Sequence, residues 1–526
     1  MNLSIHLDVK RSWINWLHHF IQNNAQNAVL LGATILSWVS WFTYYAAGHN
    51  LAYNDAMSHL DIARRVTDNI TPGLAQLGSV WLPLLHVLML PTIWLDSFWQ
   101  TGMSAGLISM VCYITTVLGV YKTTYKLTSN IWSGFLASSI IAFSTNFLYL
   151  QTTALTEPLF IALFTWTMYY LVKWQDEQKI GQLVGAALMV CLATLTRYDG
   201  WALFGMAGLG VFSSVFLAKW KWHKAEGAAI LFGTLAVFGI VLWFAWNLTI
   251  FGDPLYFATG EFSAKSQQDL LAKADDLPTK GNWIVSAVTY FYAMVGNIGI
   301  VSLIVGSVGW LIYMIETKSM QKRIISTVFL APLFFNVLAL YLGHSVIHLP
   351  EIVGQSWFNV RYGLIVMPWI AVFVGYLLSH KNFVIRTSVP LLIGLQVFLF
   401  FSSDYIITLD DGLWGSSQKN VKTIGSWIHN EIDGSDKKIL VSVASHDAIL
   451  FSTGLPMKQF IHEGTGELWD SALENPTSYA DYVVMRTNDN LDLVSKNVEE
   501  SPNFFSNYSL VYDDEFADIY KKNETE

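Results

Sequence analysis

Val80-Trp81-Leu82-Pro83-Leu84-Leu85-His86-Val87-Leu88-Met89-Leu90-Pro91-Thr92-Ile93-Trp94-Leu95 is the stretch on which the topology turns. It is apolar enough to enter a bilayer, yet it has only 16 residues and carries two prolines and a histidine. A crossing helix needs about 20 apolar residues. The rest of the 526-residue chain reads as a polytopic membrane protein. It is 53% hydrophobic and only 13% charged, where soluble domains carry roughly 25% charge. That composition excludes a disordered chain, a coiled coil, collagen and an ordinary cytosolic enzyme. Apolar runs long enough to span lie at about 27–46, 103–122, 131–149, 157–174, 180–197, 200–218, 228–249, 296–315, 325–342, 361–379 and 388–403, which predicts eleven helices.

Charge decides whether residues 80–95 add a twelfth. If they do not cross and the N-terminus is cytoplasmic, the cytoplasmic segments hold 14 Lys and Arg and the outer loops 7. If they cross, every later loop flips and the bias inverts. The positive-inside rule therefore predicts a re-entrant or interfacial helix on the outer face. Eleven spans then place residues 404–526 outside. This tail holds 22 of the 39 acidic residues and 9 of the 30 basic ones, so an apolar, slightly basic body precedes an acidic, water-soluble domain. No basic stripe exists to meet a nucleic acid. Cys112 and Cys191 both sit in apolar runs, so the tail folds without disulfides.

Before the first span, Trp13, Trp16, Leu17, Phe20 and Ile21 recur with helical spacing beside Lys10 and Arg11, as in an interfacial amphipathic helix. The region is too long for the n-region of a cleavable signal peptide. The tail reads as α/β. Strands are expected at 437–445, 458–462 and 479–486 and in a closing hairpin at 508–512 and 517–521. Helices at 418–432, 448–453, 467–473 and 489–497 alternate with them, which implies a largely parallel sheet.

The span cores contain no ionisable residue near mid-membrane, which argues against a transporter or pump. Such residues gather instead at the outer helix ends: Asp55, His59, Asp61, Arg64 and Arg65; Glu157; Arg197 and Asp199; Asp253; His344, His348 and Glu351; and Arg361. A site on the outer face is expected, and with it a lipid-linked or extracytoplasmic substrate, because nucleotide sugars and ATP are cytoplasmic. In 53–65, Asp55, Ser58, His59 and Ile62 share a helical face, and Asp61 can pair with Arg64 or Arg65. This segment is either a solvated juxtamembrane helix or the seat of a carboxylate base. Asp55 and His59 could also ligate a divalent metal as an i, i+4 pair, with no third or fourth ligand evident.

Other residues also carry two readings. Arg361 either reaches a lipid phosphate or snorkels to headgroups. Arg197 and Asp199 either serve the site or close their turn as an ion pair. Glu157 either lines the site or answers the helix macrodipole. His86 and Lys265 either line the site or stand apart from it. In the tail, Ser445-His446-Asp447 and His462-Glu463-Gly464 stand at strand ends, where α/β sheets place ligands. Consecutive Ser-His-Asp is not a triad signature, and the tail is read as an acceptor-recognition or interaction domain.

Five motifs in order carry a resemblance. The first outer loop opens on an acid and runs on as Ile62-Ala63-Arg64. Leu155-Thr156-Glu157-Pro158-Leu159-Phe160, Leu195-Thr196-Arg197-Tyr198-Asp199-Gly200-Trp201, Phe251-Gly252-Asp253-Pro254-Leu255 and Asn359-Val360-Arg361-Tyr362 follow. Together they resemble the GT-C superfamily of integral-membrane glycosyltransferases, nearest to the protein O-mannosyltransferases and aminoarabinose transferases of glycosyltransferase family 39. Trp81–His86 stands where that superfamily has its second juxtamembrane helix. Relatives often show paired acids in the first loop. Here Asn54 precedes Asp55, so a second carboxylate must come from elsewhere.

The resemblance implies a polyprenyl-phosphate-sugar donor, an inverting transfer to a lipid, glycan or protein acceptor, and Asp55 as base. It places Arg361, Arg197, Arg64 and Tyr362 near the donor phosphate, with Arg65 at the same depth, and His59, His86, Glu157, Asp199 and Lys265 along the site. The chemistry agrees: a single displacement needs one carboxylate for the acceptor proton and cations for the leaving phosphate. The expected location is a prokaryotic plasma membrane. The rival classes are a non-enzymatic lipid or polysaccharide transporter or scaffold, and a transferase of a non-sugar lipid headgroup.

Overall fold

The computed structural model describes residues 2–217, 221–260, 263, 265, 277–350, 352–403, 405–415, 418–443, 447–486, 489, 492–498 and 503–524, with the side chains of 2–23, 355 and 418–420 excepted. Each of the eleven apolar runs is helical over most of its length. Among the described residues, six helices are long and apolar enough to cross a membrane by themselves, or up to eight if each of two bent pairs is one crossing. Ile131–Ala142 and Ile180–Thr194 are shorter apolar helices. The helix preceding the first loop, Asn2–Ala46, is continuous, so residues 13–21 extend the span rather than forming a separate element.

Residues 80–95 do not make a crossing helix. Only Leu84–Ile93 is helical, with Pro91 inside it. Ten residues at 1.5 Å each reach about 15 Å, half a hydrocarbon core. The Leu84 N–H donates to the Leu195 carbonyl (3.0 Å), and the helix packs on Asn54–Arg65.

Residues 283–295, which precede the apolar run expected at 296–315, belong to a helix of their own, Trp283–Ile298. It meets Ile300–Glu316 at 107°. The break falls at Gly299, whose φ is +86° and where a Cβ would lie 2.4 Å from the Gln396 side chain. Gln396 satisfies the backbone that the bend frees, donating to the Ile298 carbonyl (2.9 Å) and accepting from the Ser302 N–H (2.9 Å). Apolar surroundings tolerate a broken helix only with such a replacement partner.

The C-terminal region carries a five-stranded mixed sheet in the order Phe460–Ile461, Ile439–Leu440, Tyr482–Met485, Asp518–Lys522, Tyr508–Asp513. The first three strands are parallel and the last two form an antiparallel hairpin. It docks on the juxtamembrane helices. Asp68 accepts from the Met457 N–H (3.1 Å), Gln76 donates to the Gly464 carbonyl (2.8 Å), and Trp99 meets Phe451 edge-on.

Before that domain, Ile407–Trp414 forms a helix that buries Ile407, Thr408, Asp411 and Gly412 against the membrane body. The Thr408 N–H donates to Asn146 (3.1 Å) and the Tyr53 hydroxyl to the Thr408 carbonyl (2.6 Å). Gly412 lets this helix close in, since a Cβ there would come within 3.1 Å of both Tyr53 and Tyr149.

Candidate active site

Three loops and one short helix bring their charged residues to one end of the helix bundle. Asp55 stands in the first turn of Asn54–Arg65. Glu157 opens Glu157–Glu177, followed by Pro158, which suits a helix start. Arg197 lies in the turn before Asp199–Leu217, and Arg361 opens the last-but-one span through the Val360–Val366 turn.

The two arginines are joined by one carboxylate. Glu157 Oε1 accepts from Arg197 Nη1 (2.9 Å) and from Arg361 Nε (3.0 Å). Arg361 Nη2 donates to Asp55 Oδ2, and its Nη1 lies 3.8 Å from Asp411 Oδ2. Arg197 Nε donates to Asp199 Oδ2 (3.1 Å), whose Oδ1 accepts from Asn336 (2.9 Å). The Tyr362 ring packs beside both guanidiniums, 4.5 Å from Arg197 and 5.2 Å from Arg361. Four carboxylates thus hold two arginines, each through several bonds in fixed geometry.

A cavity of about 560 Å³ opens over this cluster. Asp55, His59, Glu157, Arg197, Asp199, Arg361 and Tyr362 all line it. His59 is buried, and its Nδ1 lies 2.7 Å from His86 Nε2, one nitrogen donating to the other. Burial, then the charges of Arg361 and Arg197, push His59 down to about 3. Burial likewise holds His86 far below the usual histidine range. Both rings are therefore neutral, and His86 stands behind His59 rather than on the cavity wall.

Two other expected residues lie elsewhere. Arg64 donates to Asp96 (2.6 Å), Asp68 (3.1 Å) and the Ile93 carbonyl (3.0 Å), and its guanidinium covers Trp99. It staples juxtamembrane helices together, and Arg65, one residue on, lines the cavity in its place. Lys265 is exposed and absent from the lining. Asp61 pairs with neither neighbouring arginine: its Oδ1 accepts from Trp99 (3.0 Å), and burial pushes the carboxyl well above its ordinary range. Asp253 caps its own turn through the Leu255 N–H. Ser445, His446 and Glu351 lie outside the described residues.

Asp411 was missed. It follows the last span, in a segment that reads from charge as the start of the tail. Tyr53, whose hydroxyl donates to Asp411 (3.1 Å), was missed with it. Among the described residues no group of three or more His, Cys, Asp or Glu side chains is arranged to hold a metal ion. His59 Nδ1 is engaged by His86, which leaves the Asp55–His59 pair without further ligands among those residues.

A helical membrane body with juxtamembrane helices, a charged cluster at one end and an α/β domain seated over it has the GT-C fold. The structure of ArnT from Cupriavidus metallidurans bound to undecaprenyl phosphate matches with a TM-score of 0.59, covering 94% of this chain and 98% of that one at 11% identity. The archaeal oligosaccharyltransferase AglB from Archaeoglobus fulgidus, in complex with an inhibitory peptide and a dolichol-phosphate, matches at 0.53, covering 89% and 70% at 12% identity. The family model described as dolichyl-phosphate-mannose-protein mannosyltransferase matches residues 92–246. No curated protein matches in sequence.

Proposed function

We propose that the chain is an inverting glycosyltransferase that moves a sugar from a polyprenyl-phosphate donor to an acceptor hydroxyl, with Asp55 as general base. One observation carries this reading. Of the four carboxylates on the two arginines, Asp55 has a side chain 41% exposed, against 1% for Glu157, 2% for Asp199 and 3% for Asp411. Its Oδ2 is fixed by Arg361, while Oδ1 makes no hydrogen bond among the described residues and is left for substrate.

In the reaction, the acceptor oxygen attacks the anomeric carbon, its proton passes to Asp55 Oδ1, and the carbon–oxygen bond to the phosphate breaks. The charge on the leaving phosphate develops beside Arg361 and Arg197, which stabilise it electrostatically. Neutral His59 offers a ring edge to the sugar without adding charge. The bias of basic residues supports an extracytoplasmic position for this end of the bundle. The donor is supported by the polyprenyl phosphates in both neighbouring structures and by the match to a mannosyltransferase family model.

The test offers purified protein a panel of radiolabelled polyprenyl-phosphate sugars and follows free polyprenyl phosphate. Asp55→Asn keeps the side chain's size and removes its basicity, and loses about 10²–10⁴-fold in turnover with donor binding retained. Turnover within a few-fold of the parent would remove Asp55 as the base. A panel with no productive sugar would remove the reaction.

A further inference from the structure

We propose that Arg65 and His462 form an oxyanion-binding subsite where the C-terminal domain meets the Asn54–Arg65 helix. Four arginines stand at this end of the bundle, and three are committed. Arg64, Arg197 and Arg361 each pair with two or more carboxylates. Arg65 forms no ion pair among the described residues, lines the cavity, and has a buried Nε with no hydrogen-bond partner. It is the uncommitted cation of the site.

His462 supplies the second donor. It follows the Phe460–Ile461 strand, is fully buried and lines the same cavity. Its Nδ1 accepts from the Gly464 N–H (3.0 Å), which fixes the tautomer: the neutral ring carries its proton on Nε2. That Nε2 is buried and has no partner. Burial, then the charge of Arg65, hold His462 far below the usual histidine range, so the ring remains a neutral donor. The loop that presents it is fixed. Gln76 donates to the Gly464 carbonyl, and a Cβ on Gly464 would meet His462 Cε1 at 2.7 Å and Gln76 Oε1 at 2.9 Å.

The nearby acids do not fill this role. Glu463 is turned to its own domain, accepting from the Ser442 hydroxyl (2.7 Å) and the Val443 N–H (2.9 Å). The two carboxyls that feel Arg65, Asp61 and Asp447, are both shifted by burial towards their protonated forms.

Two buried donors without acceptors, one of them on a guanidinium, are complementary to a phosphate-like oxyanion. The subsite rests on the reading of this cavity as the reaction chamber. Its ligand is then either the phosphate of the donor lipid or an anionic group on the acceptor.

The full chain in phosphatidylcholine nanodiscs is titrated with tungstate, a phosphate mimic, and separately with undecaprenyl phosphate. Arg65→Gln removes the charge. His462→Asn keeps an acceptor for the Gly464 N–H but no longer reaches the Nε2 position. Each variant weakens tungstate binding about tenfold. If undecaprenyl phosphate binding falls in parallel, the ligand is the donor phosphate; if it holds within about twofold, the ligand belongs to the acceptor. Unchanged tungstate affinity in both variants overturns the subsite. Should both variants unfold, tungsten density in the unaltered protein decides: a peak within reach of Arg65 Nε and His462 Nε2 supports the proposal. A peak elsewhere, or none at saturation, overturns it. No sugar transfer enters these readouts, so loss of the subsite and loss of the proposed reaction are distinguishable.

Discussion

The Glu157–Glu177 helix has a charged cluster at each end, about 30 Å apart, and the two are built on opposite principles. At the Glu157 end, arginines 5% and 13% exposed are fixed by carboxylates of which three are nearly inaccessible. At the Glu177 end, a second cavity of about 330 Å³ is lined by Lys126, Lys318, Lys322 and Asp176. The ion pairs at this end are Lys126 with Asp176 (3.5 Å) and Glu177 (3.2 Å), Lys179 with Glu177 (3.2 Å), and Lys322 with Asp176 (2.7 Å), with side chains 25–71% exposed. The difference is one of commitment. A buried guanidinium fork locks several carboxylates at once, whereas a hydrated ammonium exchanges its partner for water at little cost.

Breaking each end should show that contrast directly. Glu157→Ala strips the shared carboxylate from two buried arginines and should lower unfolding stability by about 3–5 kcal/mol; a melting curve that stays in place would show the arginines to be adequately held by Asp55, Asp199 and Asp411. Arg361→Lys keeps charge but cannot reach Asp55 and Glu157 together, and should cost about 1.5–3 kcal/mol. Recovery of parental stability would mean that a point charge suffices.

The third prediction concerns pH. Burial raises Asp447 to about 6 from an ordinary 3.8. Between those values the folded state holds more protons than the unfolded one, so stability falls as pH rises from about 4 to about 6. Asp447→Asn should flatten that limb by on the order of 1–2 kcal/mol; an unchanged slope would assign it to other groups. The smallest effect belongs to the other end. Lys126→Met should change stability by no more than about 1 kcal/mol and turnover not at all, and a larger loss would erase the contrast.

Much of the cluster could be read from the sequence because membrane proteins place ionisable groups where spans end. Asp55, Glu157, the Arg197–Asp199 turn and Arg361 stand at four separate span ends in the sequence, and the fold brings all five residues to one cavity. The choice between Arg64 and Arg65 was also legible. Continuing the Asp55, His59, Ile62 face by three residues gives Arg65, while Arg64 falls on the flank that meets Asp96. Asp411 was hidden by a boundary drawn on net charge, because an acidic residue beside an acidic domain looks like part of it. The Trp283–Ile298 helix was hidden because no charged residue and no loop-length polar stretch separates it from Ile300–Glu316, only Asn297 and Gly299. Gly299 alone marks the corner, and its partner Gln396 lies about a hundred residues away.

Asp411 also bears on how this protein can be taken apart. The ion pair between Ile407–Trp414 and Arg361 means that the polypeptide leaving the last span contributes to the cluster before it enters the C-terminal α/β region. A chimera joined at residue 403 would exchange a buried counter-charge along with the domain, and the resulting change would be misread as an effect of the domain. A junction after Trp414 would leave the electrostatics of the arginine intact and let domain exchange report on the domain alone.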